Sequence, residues 1–277
     1  MYVYIHIIVK MLNCFNLIVK IGDGLVFLGC YVYLTYILPL FVCCLQLLQI
    51  SNICFNTVAY LFIYSIDLRL KQKYIGDNPI PFIKNGAIIT NHRSFTDFFL
   101  DNYLTQGTCI ARKMVMFVIG IIGLFFVFEN RLIFINRKKD DRNTIWKKME
   151  KHKLILFYPE GTRCSHLTLP VDYREIKMQF GLLKSVYEHG VEVQVYISAG
   201  KEDVMNEKRF RMGFGKTIVY MVGEPLHSKE YDTFEKFIDA VKLEWHTLWN
   251  HVYSSSHESP QQQQQLQICD VAIPFYG

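Results

Sequence analysis

The spacing of apolar positions changes character twice along this chain. Residues 24–66 contain no Asp, Glu, Lys, Arg or His at all. A helix that crosses the hydrocarbon core of a bilayer takes about 20 apolar residues, so this run is long enough for two. It predicts a membrane-embedded helical hairpin, with one arm over 25–48, a shorter arm over 52–66, and the polar stretch Gln49–Asn52 as the turn. The second arm is short, so a hairpin dipping into one leaflet fits the pattern as well as two crossings do.

After a Pro-containing connector, Gly76–Phe82, the period shortens. Runs rich in Val, Ile and aromatics occur at 86–90, 108–112, 131–137, 153–159, 191–198 and 216–223, each bounded by turn residues, and they read as strands. Between them, 95–104, 141–152, 175–189 and 229–252 read as helices, the last with apolar residues at helical spacing. Strands alternating with helices predict an α/β fold with a mostly parallel sheet and flanking helices. The uncharged run 115–128 is too short for a comfortable span. It is expected in the core or against the bilayer, where it could line an acyl groove. Residues 254–267 are polar and Gln-rich and predict a disordered tail. The chain thus divides into membrane-associated helices (1–75), an α/β domain (76–253) and a low-complexity tail (254–277).

Composition strengthens the membrane reading: 51% of residues are hydrophobic and the mean hydropathy is +0.14. The first 22 residues carry Lys10 and Lys20 among apolar positions and read as interfacial, without the small-residue cleavage pattern of a signal peptide. The net charge of +5 is unevenly spread. Arg69, Lys71 and Lys73 follow the apolar run and favour the cytoplasmic side for that end. Between Arg137 and Lys153 eight basic residues face three acidic ones. Most of these read as a solvated helix face, yet a basic surface beside a membrane also suits anionic headgroups. Eight cysteines occur without a C-x-x-C pair, so no metal site and no disulfide framework is expected. No nucleic-acid partner is expected either.

Two stretches carry chemistry. In "TNHRSFTDFF" (90–99), His92 follows a strand and Asp97 opens a helix. Residues five apart on a helix do not face each other. The two side chains meet only if His92 sits in the turn before the helix, where Ser94 or Thr96 can cap the amides. A carboxylate on an imidazole fixes its tautomer and stabilises the imidazolium that forms when the ring takes a proton. No G-x-S-x-G or catalytic-cysteine context supplies a protein nucleophile, so the pair would act on a substrate hydroxyl. Taken alone, a His near an Asp is as readily structural. In "FYPEGTR" (157–163), a strand ends in a Gly-centred loop with Glu160 and Arg163 three apart. Either this is an ordinary turn with an ion pair, or Arg163 presents its planar fork to phosphate oxygens. Arg137 closes another strand. In a parallel sheet, His92, Arg137 and the Glu160–Arg163 loop would share the carboxyl edge, where ligands gather.

Together these stretches resemble the glycerolipid acyltransferase superfamily, whose best-known members are lysophosphatidate acyltransferases. "NHRSFTD" matches the N-H-x-S-x-x-D block at Asn91, His92, Ser94 and Asp97. "IFINR" (133–137) and "PEGTR" (159–163) match the next two blocks, in order, within a resemblance covering about 80–225. It departs from the pattern at Arg131, where Gly is usual, and at Gln194, in the place of a proline. The resemblance implies that His92 and Asp97 are the catalytic pair. It also implies that Arg137, Glu160, Gly161, Thr162 and Arg163 bind a phosphorylated acceptor, with Lys113 near the groove. The implied reaction takes acyl-CoA as co-substrate and a lysophospholipid as acceptor, with no bound cofactor, in an integral protein of an internal membrane such as the endoplasmic reticulum. A transacylase or hydrolase using the same pair, or an inactive membrane scaffold, stays open.

Overall fold

The computed structural model describes residues 23–37, 55–94, 96–113, 115, 126–127, 129–136, 140–163, 169–206, 211–253 and 266–271. Helix α1 (Asp23–Val32) runs into a π-helical turn (Tyr33–Ile37), and α2 spans Phe55–Ser65. Strand β1 (Arg69–Ile75) and β2 (Gly86–Thr90) precede α3 (Asp97–Thr105). Then come β3 (Thr108–Arg112), β4 (Leu132–Ile135), α4 (Arg142–Met149), β5 (Leu154–Phe157) and α5 (Phe180–Glu188). Strand β6 (Glu192–Ala199) leads into the short α6 (Lys201–Val204), the two-residue strands β7 (Met205–Asn206) and β8 (Arg211–Met212), and β9 (Thr217–His227). The long α7 (Phe234–Tyr253) and β10 (Leu266–Asp270) close the fold.

Eight strands form one sheet in the order β10-β1-β9-β6-β2-β5-β3-β4. From β6 to β4 every neighbouring pair is parallel, as is β1 with β9. Only β6–β9 and β1–β10 are antiparallel. Side chains alternate across this sheet. Ile88, Leu156 and Tyr196 pack on one face with α2 and α3. Ala87, Ile89, Val193, Val195 and Ile197 pack on the other with α5 and α7. Helix α7 shows why the layer closes: Phe237, Val241, Trp245, Leu248 and Val252 recur every three or four residues and are all buried. Each such burial contributes on the order of 1.5–3 kcal/mol.

The core strands thus sit where the hydrophobic pattern places them, and three expectations change. The second arm of the hairpin, α2, is an 11-residue helix with Val58, Ala59, Phe62 and Ile63 buried against the sheet. At 1.5 Å per residue it is about half the thickness of a hydrocarbon core. Those four residues belong to a protein interior. Among the described residues no helix is long and apolar enough to cross a membrane, and residues 38–54 lie outside them. Arg69–Ile75, assigned by sequence to the membrane-associated part, is a sheet strand. Within the tail, Leu266–Asp270 adds an antiparallel edge strand to β1, and residues 254–265 and 272–277 lie outside the described residues.

Candidate active site

The carboxyl ends of β6, β2, β5, β3 and β4 lie along one edge of the sheet, and the site is built there. Strand β2 ends at Thr90, and Asn91 ties it to β6: its amide donates to the Ser198 carbonyl at 2.8 Å, and its oxygen accepts the Ser198 N–H at 3.0 Å. The chain then turns into α3, and the turn is organised around a single oxygen. Asp97 Oδ2 accepts from the backbone N–H of Arg93 (2.5 Å) and of Ser94 (3.0 Å), and lies 2.8 Å from His92 Nδ1. Thr96 makes no side-chain cap. The Asp97 carboxylate, first residue of the helix, satisfies the turn's amides and grips the imidazole at once. Its side chain is fully buried, while His92 keeps 13% of its own exposed. Burial pushes the Asp97 carboxyl up, but the Lys201 ammonium, the His92 bond and the Ser94 N–H outweigh it and hold Asp97 below the usual carboxylate range.

The imidazole is held on its faces too. The Tyr158 ring stacks on it at a centroid distance of 4.3 Å, and Phe98 meets it edge-on at 5.8 Å. With Nδ1 committed to Asp97, Nε2 is the nitrogen left for a ligand.

His92 lines a cleft of about 360 Å³ together with Phe98, Arg112, Tyr158, Gly161, Thr162 and Arg163. Gly161 has φ +73°, a left-handed conformation that suits glycine, and its carbonyl accepts from the Arg112 guanidinium at 3.3 Å. The floor is apolar, with Ile110, Ala111, Val115, Ile135, Phe157 and Leu182. The cleft therefore pairs a cationic, hydrogen-bonding rim with a greasy wall, a combination suited to an amphiphile with an anionic head.

Most sequence-predicted residues converge here. His92 and Asp97 pair, and Gly161, Thr162 and Arg163 line the same cleft. Glu160 takes a different part from the acceptor-binding one expected. Its Oε2 accepts the backbone N–H of His92 at 2.6 Å, away from the cleft lining. Burial pushes its carboxyl up, against that N–H and the charge of Arg93. Lys113 is exposed and does not line the cleft; its neighbour Arg112 does. Arg137 lies outside the described residues, just past Asn136. Of the run 115–128, Val115 lines the cleft and Phe126 is buried in the core.

Sequence reasoning missed Arg112, Tyr158, Asp101 and Lys201. One signal was available. Asp97 and Asp101 are four apart on an apolar helix, so they share a face, and two buried carboxylates require a cation. Nothing local identifies that cation as Lys201, a hundred positions downstream.

Fold and geometry together define an α/β protein whose polar and charged cleft residues gather at the carboxyl ends of parallel strands. Residues 71–198 match the family model described as Acyltransferase. Over those residues, a little under half of its length, the chain carries an acyltransferase domain. Among solved structures it is similar in fold to PlsC, the 1-acyl-sn-glycerophosphate (LPA) acyltransferase from Thermotoga maritima. The TM-score is 0.57 at 15% identity, over 85% of this chain and 98% of that one. No curated protein sequence is significantly similar to the chain.

Proposed function

We propose that the protein is a membrane-bound acyltransferase that moves a fatty acyl group from acyl-CoA to the free hydroxyl of a lysophospholipid, with 1-acylglycerol-3-phosphate as the acceptor. The observation that carries this reading is the 2.8 Å contact of His92 Nδ1 with a buried Asp97 at the mouth of a cleft rimmed by Arg112 and Arg163. The likeness to PlsC, an LPA acyltransferase, supports the acceptor class.

In this reading the acceptor's phosphate sits against Arg163 and the Gly161–Thr162 backbone, which places its hydroxyl at His92 Nε2. Nε2 takes the hydroxyl proton as the oxygen attacks the thioester carbonyl. The new C–O bond forms, the C–S bond breaks, and the imidazolium returns its proton to the departing CoA thiolate. Asp97, already ionised, stabilises that imidazolium. Glu160 contributes by fixing the backbone of His92. No bound cofactor is required. The membrane supplies acceptor and acyl chain, and α1 supports a seat there: Leu25, Leu28 and Val32 are exposed along one of its faces, followed by Tyr36 and Ile37.

Membranes carrying the protein, given radiolabelled acyl-CoA and lysophosphatidate, are expected to release CoA and accumulate the diacyl product. His92→Ala is expected to lower that rate by about 100-fold or more. Free fatty acid in place of the diacyl product would mark a hydrolase, and product without CoA release a transacylase. Unimpaired transfer by the variant would end the proposed role of the imidazole.

A further inference from the structure

Behind the imidazole lies a buried charge cluster that the reaction scheme above does not use. Lys201 follows β6 through Gly200, whose φ of +92° and a would-be Cβ only 2.6 Å from the Thr217 carbonyl reserve that corner for glycine. The turn delivers a lysine with no exposed surface. Its Nζ donates to both carboxylate oxygens of Asp101 at 2.9 Å and to the Asn91 carbonyl at 3.1 Å. It also stands 4.0 Å from Asp97 Oδ1, a buried oxygen that accepts no hydrogen bond among the described residues. Asp101 in turn accepts from the Tyr158 and Tyr196 hydroxyls, both at 3.0 Å. Tyr158 is the ring stacked on His92. A buried ion pair is weak evidence for stability, because desolvating its members costs about as much as their attraction returns. Its placement between the catalytic carboxylate and the catalytic ring's stacking partner calls for another reason.

We propose that Lys201 and Asp101 are positioning residues for the His92–Asp97 pair, acting on it through opposed buried charges and through the Tyr158 ring. This rests on the reading of His92 as the base. Burial pushes the Asp101 carboxyl up to about 6 against the pull of Lys201, so above that pH Lys201, Asp97 and Asp101 together carry one negative charge while His92 is neutral, and none once the imidazolium forms. The cluster is therefore balanced when the proton has been taken, which is when the low-dielectric site most needs balance. Lys201 keeps Asp97 ionised beforehand, and Asp101 prevents the ammonium from repelling the imidazolium. Other charges face the pair from neighbouring elements. Arg93 in the turn and Arg163 in the loop after β5 are cationic, and Glu160 in that loop is a carboxyl. Tyr253 from α7 and Tyr196 from β6 add hydroxyls. Lys201 bonds the Asp101 carboxylate and stands 4.0 Å from that of Asp97, so it bridges the two carboxylates of α3.

The test is the acid limb of kcat/KM against pH for the full-length protein in membranes. Lys201→Met removes a cation from beside the pair and is expected to move that limb up by about one pH unit. Asp101→Asn removes an anion and is expected to move it down by a similar amount. The double variant, which deletes both charges, should return near the wild-type position. The acceptor's own phosphate titrates identically with every variant, so differences belong to the protein. A loss of amplitude with an unmoved limb would mean a merely structural role and overturn the proposal. If Lys201→Met does not fold, the near-isosteric Asp101→Asn decides alone, since its amide oxygen still accepts from Tyr196. A downward limb supports the proposal, and an unmoved or rising one refutes it. His92→Ala separates the two levels: activity surviving it defeats the base itself, whereas an inactive His92→Ala with unmoved limbs defeats only this inference.

Discussion

At the scale of single residues, the site depends on how many demands one carboxylate meets. Asp97 Oδ2 closes the turn by accepting two backbone amides and aligns the ring by meeting Nδ1. Removing its charge while keeping its shape should separate these functions. Asp97→Asn retains an oxygen for the amides but no longer stabilises the imidazolium. Turnover is expected to fall by about 100-fold or more, with the acceptor KM changed little. A raised KM at unchanged turnover would assign Asp97 to binding instead. Glu160 shows how a motif residue can acquire a contact that the motif does not announce. The Pro-Glu-Gly-Thr-Arg stretch marks the loop. That its carboxylate points back at the His92 amide depends on β5 lying beside β2, which no local pattern encodes.

At the scale of elements, the departures from the family pattern have local causes. Gln194, in the place of a proline, is fully buried. Its oxygen accepts from Ile83 N–H at 2.9 Å, and its amide donates to the Pro81 and Gly223 carbonyls at 3.0 Å. A single amide thus ties the connector before β2 to the irregular register of β6 and β9. Arg131, where glycine is usual, donates to the Gln106 backbone and side-chain oxygens at 2.8 and 2.9 Å and fastens the end of α3 to β4. Strand β2 itself starts at Gly86, with φ +121° and a would-be Cβ 2.6 Å from the Glu192 carbonyl. Gly86→Ala therefore strains the strand that carries His92. It is expected to cost about 1–3 kcal/mol, measurable as a lower denaturation midpoint in detergent, and an unchanged midpoint would show that β2 and β6 can move apart freely.

At the scale of the whole molecule, a mostly parallel sheet covered on both faces carries the candidate site on one edge, and α1 lies against β8 with an apolar stripe turned outward. Leu25 and Leu28 on that stripe are 70% and 57% exposed. If lipid covers them, Leu25→Asp with Leu28→Asp should raise the fraction of protein released from membranes by an alkaline carbonate wash. Each leucine withdrawn from lipid forfeits on the order of 1.5–3 kcal/mol. An unchanged distribution between pellet and supernatant would show that this face does not touch the bilayer.

The strands, the helices between them and the motif-bearing turns follow from the order of side chains alone, because periodicity and turn chemistry act over a few residues. The meeting of His92 with Asp97 was legible for the same reason: five residues around one turn. Three things were decided by tertiary structure. The apolar helix α2 became part of a protein core, since hydrophobicity does not distinguish a sheet face from lipid. The edge strand after the Gln-rich stretch formed because β1 offered unpaired backbone groups. Lys201 reached Asp101 and Asp97 across a hundred residues because parallel strands bring distant carboxyl ends side by side, an adjacency that exists only once the sheet has been ordered.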